Sequence, residues 1–161
     1  MYSFSYLFEY YPESIHTVTE EMLRDRKEVQ SFMTGEVSEK LLSAIESSVL
    51  EKVNKERIDV VCFAPGTTGA KTILRFGNLA ERLSSVLPCD VYLDAITLVS
   101  DADPITHERF YQCNKARVFG KKVLVVGSVY TTGKSLKTIG DILIKNKAKS
   151  VSGLFVAKTM I

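Results

Sequence analysis

The strongest constraint on the fold is a regular alternation of short apolar runs and helical patterns from residue 58 onward. The apolar runs are typical of strands buried on both faces, and they cover residues 58–64, 91–99, 122–126 and 151–157. Apolar residues at helical spacing stand between them, over residues 76–86 and 134–147. This order predicts βαβ units, and therefore an α/β domain with helices on both faces of a mostly parallel sheet.

The part before residue 58 has its own pattern. Five aromatic residues alternate along residues 2–11 and predict a strand with one aromatic face: Tyr2, Phe4, Tyr6, Phe8 and Tyr10. Helical periodicity follows at 13–31 and at 36–55, with a break at Gly35. We treat residues 1–161 as a single domain, in which an N-terminal strand and helix (1–34) precede the core (35–161). The aromatic face either covers the core or joins two copies into a homodimer.

Charge and composition exclude several classes of function. Twenty-one basic and 19 acidic residues give a net charge of +2, which offers no general attraction to nucleic acid or to an anionic membrane. No apolar run approaches the roughly 18 residues of a membrane span. The three cysteines are widely spaced, and the two histidines stand far apart, so neither set predicts a metal site. With no basic leader before Glu9, we expect a cytoplasmic protein without a membrane partner.

The loop after the third apolar run carries the clearest chemical signal. It joins a buried strand to a helix, so its backbone N–H groups and hydroxyls form a potential phosphate cradle. The residues of this candidate phosphate site are Thr131, Thr132, Gly133, Lys134 and Ser135. An ordinary capped strand–helix turn explains the same pattern. A Walker-type loop fits only in part, because Gly127 stands one position too early and residue 128 is serine. A nucleotide hydrolase therefore remains the weaker alternative.

Residues 122–135 resemble the phosphoribosyl-pyrophosphate (PRPP) signature of type I phosphoribosyltransferases. The run from Val129 to Gly133, Val-Tyr-Thr-Thr-Gly, is similar to the branch of that family that contains the competence protein ComF. The strand at 58–65 and the segment Arg-Phe-Gly-Asn at 75–78 agree with that branch, although its middle pair is inverted. The resemblance covers residues 35–159, and only the Thr-Thr-Gly region is specific. It implies the three-layer α/β fold of these transferases.

The resemblance also implies roles for particular residues. The loop at 131–135 would hold the 5′-phosphate of PRPP. The pyrophosphate would lie near an earlier loop, at Gly66, Thr67, Thr68, Gly69 and Lys71. Residues 100–119 lack periodicity and correspond to a flexible lid over the site, with Arg109, Lys115 and Arg117 as candidate anion contacts.

One departure from the family pattern is serious. Gly127 and Ser128 replace the two acidic residues that would grip the ribose hydroxyls, so the PRPP motif is degenerate. Asp94, Asp101 and Asp103 are the candidate substitutes. Mg²⁺ would then arrive with bound PRPP, and catalysis would rest on positioning without an identifiable catalytic side chain. We therefore expect a protein that binds PRPP or a nucleotide 5′-phosphate, with phosphoribosyl transfer to a nitrogenous acceptor as the inherited reaction. The alternative is a non-catalytic protein that senses such a ligand or binds a partner.

Overall fold

A computed structural model describes residues 2–15 and 17–160. In this part of the chain there are seven strands and five helices. In chain order they are β1 (Ser3–Tyr10), α1 (Glu20–Met33), α2 (Glu39–Glu56), β2 (Val60–Phe63), α3 (Gly69–Val86), β3 (Asp90–Tyr92), β4 (Ile96–Leu98), β5 (Tyr111–Cys113), α4 (Lys115–Val118), β6 (Lys122–Tyr130), α5 (Lys134–Lys145) and β7 (Ser150–Thr159). No helix within these ranges combines the length and the apolar character that crossing a membrane would require.

Five strands form one sheet in the order β1-β7-β6-β2-β3, and every neighbouring pair is parallel. Successive residues of a strand face opposite sides, so β6 contributes to two cores. Leu124 and Val126 pack with residues of α1, α2 and α3, whereas Val123 and Val125 pack with residues of α5. The result confirms the predicted α/β fold with a parallel sheet between helices.

Helix α2 shows how local sequence and burial agree. Ser38 caps its first turn by accepting a hydrogen bond from the Leu41 N–H at 3.1 Å. Leu41, Ile45 and Val49 recur one helical turn apart, and all are buried against the sheet. Burial of each such side chain stabilises the fold by about 1.5–3 kcal/mol relative to exposure. The prediction for residues 36–55 is therefore confirmed, apart from a start three residues later.

The N-terminal region differs from the prediction in two respects. The helix predicted at 13–31 starts only at Glu20, because Thr19 caps it and accepts from the Met22 N–H at 3.2 Å. Ile15 and Val18 precede this helix, and His16 lies outside the described residues.

The aromatic residues of β1 also do not share one core. Phe4 packs with the α5 side of the sheet, whereas Phe8 and Tyr10 pack against the cluster that contains α1. The reason is that β1 is an edge strand, and α1 folds back against it. A single aromatic face along β1 was therefore a wrong prediction.

Two further segments depart from the predicted pattern. The run at 91–99 is not one strand: it turns after Tyr92, and β4 leaves the sheet to pair antiparallel with β5. The stretch 127–133, predicted as a loop, is largely strand. β6 continues to Tyr130 because the long β7 pairs with it as far as Lys158, and only residues 131–133 connect it to α5. The apolar run thus ended before the strand did.

Candidate anion-binding site

A pocket of about 220 Å³ lies beyond the carboxyl end of β6. All five residues of the predicted phosphate site line it, and Arg109 of the predicted lid joins them. Tyr130, Phe155, Val129 and Leu136 complete its wall. Ligands of open α/β sheets bind at this edge, outside the carboxyl ends of the strands. The structure therefore brings together one whole predicted set and one residue that lies more than 20 positions away in the sequence.

The loop at 131–135 owes its shape to Gly133. This residue precedes the first turn of α5 with φ +83°, a left-handed conformation that side chains rarely adopt. A Cβ atom at Gly133 would also overlap the hydroxyl group of Tyr130. Gly133 has no side chain to cap α5, and the Thr132 hydroxyl accepts only the Lys134 N–H, at 3.3 Å. The following N–H groups of the first turn therefore remain as donors beside the hydroxyl of Ser135. Such a helix start favours an anion through its N–H groups and its partial positive charge.

Arg109 supplies a positive charge at the same pocket. Its Nε atom is buried and has no hydrogen-bond partner in the described part of the chain. Arg75 of α3 lies nearby: burial lowers the pKa of its guanidinium, and the charge of Arg109 lowers that pKa further. Two neighbouring cations repel each other unless an anion lies between or beside them. The local electrostatics thus favour binding of a negatively charged group.

The earlier loop reaches this region through Gly66 and Arg75. The Gly66 N–H donates to the Thr72 hydroxyl at 2.9 Å, and a Cβ atom at Gly66 would lie 3.2 Å from the guanidinium of Arg75. The Nε of Arg75 donates to the Met33 carbonyl at 3.0 Å, which fixes the arginine beside the loop. Gly66 is therefore held close to a cation by the fold itself.

The other predicted residues of this loop have mixed positions. Thr68 caps α3 by accepting from the Lys71 N–H at 3.0 Å, so its hydroxyl already has a structural role. Lys71 is exposed, and a Cβ atom at Gly69 would meet nothing within 4 Å. Thr67 accepts a hydrogen bond through its carbonyl from the Ala102 N–H at 2.8 Å. This last bond joins the predicted lid to the loop.

The predicted lid folds as a hairpin-like excursion. The Val99 N–H donates to the Phe110 carbonyl at 2.9 Å, and the Asp103 carboxylate accepts from two N–H groups in the turn. Ile105 near its tip is 86% exposed, which is unusual for an isoleucine in a compact fold. This segment is hydrogen-bonded to the loop at 66–71 through Ala102, and its residue Arg109 lines the pocket.

Two predicted lid contacts lie elsewhere. Lys115 sits in α4, with its ammonium 5.5 Å from the centre of the Phe119 ring. Arg117 stacks over Tyr92 at 4.2 Å and forms an ion pair with Asp94 at 3.3 Å. Neither residue lines the pocket, so of the three predicted cations only Arg109 reaches it.

Gly127 and Ser128 are absent from the pocket wall as well. Gly127 is buried inside β6, and a Cβ atom there would overlap the ring of Phe155. Ser128 follows it on the opposite face of the strand. The position where we expected ribose contacts is therefore filled on one side by an aromatic ring.

Of the substitute carboxylates, Asp94 pairs with Arg117, and Asp103 accepts two backbone hydrogen bonds that lower its pKa.

The pocket is not built to hold a metal ion by itself. No cluster of three or more histidine, cysteine or acidic side chains occurs among the described residues. The pocket wall offers hydroxyls, N–H groups and cations, whereas Mg²⁺ prefers carboxylates and other oxygen ligands. The protein groups present therefore do not fit a magnesium ion.

Sequence reasoning missed three contributors to this site. Arg75 was noted only within the segment Arg-Phe-Gly-Asn at 75–78 and was given no role in binding, although it stands one turn after Lys71 on the side that faces Gly66. Tyr130 and Phe155 form a perpendicular aromatic pair, with ring centres 5.2 Å apart, and Phe4 stacks on Tyr130 at 3.8 Å. The spacing of Arg75 from Lys71 was a usable signal. The aromatic cluster depends on the pairing of three distant strands and left no local signal.

Solved structures of phosphoribosyltransferases share this architecture. A purine phosphoribosyltransferase from Pyrococcus horikoshii matches with a TM-score of 0.51 and 19% identity, over 75% of each chain. A hypoxanthine-guanine phosphoribosyltransferase from Bacillus anthracis matches with a TM-score of 0.52 and 18% identity, over 77% of this chain and 72% of that one. No protein-family model and no curated protein sequence matches the chain. At these identities the likeness establishes a phosphoribosyltransferase-like fold.

Proposed function

We propose that this protein binds PRPP or a nucleotide 5′-phosphate in the pocket at 131–135, and that phosphoribosyl transfer to a nitrogenous acceptor is its inherited reaction. One observation carries the proposal: the start of α5, shaped by Gly133, and Arg109 line the same pocket, and the buried Nε of Arg109 has no partner among the described residues. A phosphate would satisfy both the open N–H groups and the guanidinium, because charged hydrogen bonds of this kind are short and strong.

A ligand with two anionic ends suits the wider arrangement. Its 5′-phosphate would bind the loop at 131–135, and its pyrophosphate would extend toward Arg75, Gly66 and Lys71. In the transfer reaction, a nitrogen lone pair forms the new bond to C1 of the ribose while the bond from C1 to the pyrophosphate oxygen breaks. The proton of the acceptor N–H then passes to water. Arg75 would stabilise the negative charge that pyrophosphate carries away, while Arg109 would stay with the 5′-phosphate. Mg²⁺ would come bound to the phosphates of PRPP.

The non-catalytic alternative has its own support. Gly127 lies beneath the Phe155 ring, and no carboxylate of the described residues lines the pocket. A protein that senses a phosphorylated ligand needs the anion site but not a grip on the ribose hydroxyls. We also propose that the PRPP motif is degenerate, that it is of the ComF kind, and that the protein is cytoplasmic. The three cysteines form no disulfide, which agrees with a reducing compartment. A Walker-type hydrolase gains no support, since β6 occupies the positions its loop would need.

The test is a calorimetric titration of PRPP with Mg²⁺ into wild-type protein and two charge variants. Arg109→Gln should weaken binding by roughly 10- to 100-fold, because it removes a charged hydrogen bond. Lys115→Gln is the matched control: it removes the same charge from the lid outside the pocket and should leave the affinity within about twofold. Equal affinities in wild type and Arg109→Gln would refute the proposed site.

A second measurement separates the enzyme from the sensor. Wild-type protein is incubated with PRPP, Mg²⁺ and a panel of nitrogenous bases, and released pyrophosphate is measured. Release that depends on a base establishes transfer, whereas saturable PRPP binding without release establishes the sensing alternative. Phosphate release from ATP would instead favour the hydrolase.

A further inference from the structure

A second polar groove lies at the other end of the sheet, at the amino ends of strands β1, β6 and β7. It measures about 420 Å³ and runs beneath the last turn of α2. Three serines and three cations contribute to its wall: Ser3, Ser150, Ser152, Lys55, Arg57 and Lys122. Along β6, roughly 25 Å of strand separates it from the pocket beyond Tyr130. The groove is therefore independent of the site proposed above.

The strand register places the hydroxyls and one lysine on a common face. Ser3 pairs with Ser152, and Lys122 pairs with Ser150, in parallel ladders. Paired residues of neighbouring strands share a face, and Ser150 and Ser152 share it because they stand two positions apart. The same face farther along the strands is apolar, with Leu124 beside Ser152. The polar character is thus confined to the end of the sheet where the groove lies.

Ser152 shows that this groove lacks a component. Its side chain is only 5% exposed, and its hydroxyl oxygen finds no hydrogen-bond partner within the described part of the chain. Buried hydroxyl groups are almost always hydrogen-bonded, since an unsatisfied one is costly. A hydroxyl that lines a polar groove without a partner points to a bound group that can accept its proton.

The charge of the groove indicates what that group is. Lys55, Arg57 and Lys122 contribute three positive charges, although the whole chain carries a net charge of only +2. One carboxylate, that of Glu56, also lines the groove, but it pairs with Lys52 at 3.1 Å. The Asp59 carboxylate accepts the Lys122 backbone N–H at 2.9 Å. We propose that the groove binds a phosphate-class oxyanion, which accepts hydrogen bonds from the serine hydroxyls and pairs with the cations.

The first test is a titration with inorganic phosphate at constant ionic strength, followed by amide chemical shifts of the wild-type protein. We expect shifts at residues 122 and 150–152, separable from shifts at 131–135. Ser152→Ala should weaken this binding about tenfold or more, which is the effect of one hydrogen bond to a charged group. Chemical-shift changes confined to 131–135 would overturn the proposal. So would a Ser152→Ala variant whose phosphate affinity, measured at residues 122 and 150–152, equals that of the wild type.

Charge variants make the test independent of the serine. Lys122→Gln should weaken phosphate binding at the groove by about the same factor. Lys122 is the better choice than Lys55 or Arg57, because those two also face the partial negative charge at the end of α2. Lys149→Gln is the matched control, since Lys149 lies at the same edge but does not line the groove. An equal loss in Lys149→Gln would show general surface attraction and would refute a site.

The source of the oxyanion is separated by a second ligand. Ribose 5-phosphate is titrated in the same way, and the shifts of residues 150–152 are compared with those produced by inorganic phosphate. Tighter binding of the monoester at these amides assigns a phosphorylated metabolite, whereas equal or weaker binding assigns free phosphate. Failure of both ligands to shift these amides overturns the proposal, whatever happens at 131–135. The proposed transferase site and the groove can therefore fail separately.

Discussion

The two proposed anion sites, at opposite ends of the sheet, are assembled in different ways. Beyond the carboxyl end of β6, the groups come from one short loop and the start of α5, with Arg109 added from the lid. At the amino end, they come from side chains of β1, β6 and β7, which the register alone brings together. A contiguous site can be recognised in a sequence, whereas a site built across strands exists only once the strands are paired.

The largest effect concerns β6, the strand that links the two ends. Gly127→Asp would place a carboxylate inside the sheet where the Phe155 ring lies, and should destabilise the protein by about 4 kcal/mol. Urea denaturation measures this loss. Gly69→Asp, at an open position in the first turn of α3, is the control and should leave stability nearly unchanged. A stable Gly127→Asp protein would mean that this end of β6 is a loop after all.

The next effect separates loop shape from backbone strain. Gly133→Val should reduce phosphate or PRPP binding at 131–135 by roughly 100-fold, since its side chain blocks access to the N–H groups. Gly120→Val is matched to it, because Gly120 also has positive φ (+71°) but lies in the turn before β6. Calorimetry should show wild-type affinity for Gly120→Val despite a similar strain. If both variants lose binding equally, the loop has no specific role.

A smaller effect concerns the first part of the predicted lid, residues 100–110. Hydrogen exchange of amides at 100–110 should slow about tenfold when PRPP binds, because Arg109 would then be held by the ligand. Amides of the buried strand β2, at 60–63, should keep their exchange rates under the same conditions. Slow exchange at 100–110 without ligand, unchanged by PRPP, would show a fixed segment in place of a lid.

The smallest effect concerns Tyr2, which immediately precedes β1. Burial raises the pKa of Tyr2 to about 12, and the hydrogen bond from its hydroxyl to Asp141 at 2.6 Å acts in the same direction. A raised pKa favours the protonated form in the folded state, so stability should fall as pH rises from 10 toward 12. Tyr2→Phe keeps the ring against Gly140 and should flatten this part of the profile. If the melting temperatures of wild type and Tyr2→Phe fell equally between pH 10 and 12, the raised pKa of Tyr2 would be contradicted.

Sequence reasoning recovered those features that rest on local periodicity. The spacing of Leu41, Ile45 and Val49 is sufficient to place α2, and the apolar run at 58–64 is sufficient to place β2. It failed where partners decide the outcome. β6 extends to Tyr130 because β7 pairs with it, and the 91–99 run divides because β4 finds a partner in β5. Neither partner is visible from the strand's own residues.

The candidate site divides in the same way. Residues 131–135 were predicted as a group because they are contiguous, and the structure places all of them in one pocket wall. The sequence could not show which of Arg109, Lys115 and Arg117 reaches the pocket, because all three are isolated cations of the same segment. The path of residues 100–119 in the fold decides it. Ser152 could not be identified from the sequence. It becomes a candidate only because the structure shows its buried hydroxyl without a hydrogen-bond partner among the described residues, and cations beside it.

The pairing of β1 with β7 also bears on how the chain is made. Phe4 lies opposite Gly153 and Tyr10 opposite Thr159, so almost the whole sequence separates the two partners. During synthesis, an aromatic strand must therefore leave the ribosome long before the strand that will hold it. Contacts of such sequence separation slow folding, and an unpaired aromatic strand is exposed to intermolecular pairing meanwhile. Nascent chains that stop before residue 150 should accordingly depend on chaperones, and completion of β7 should release them.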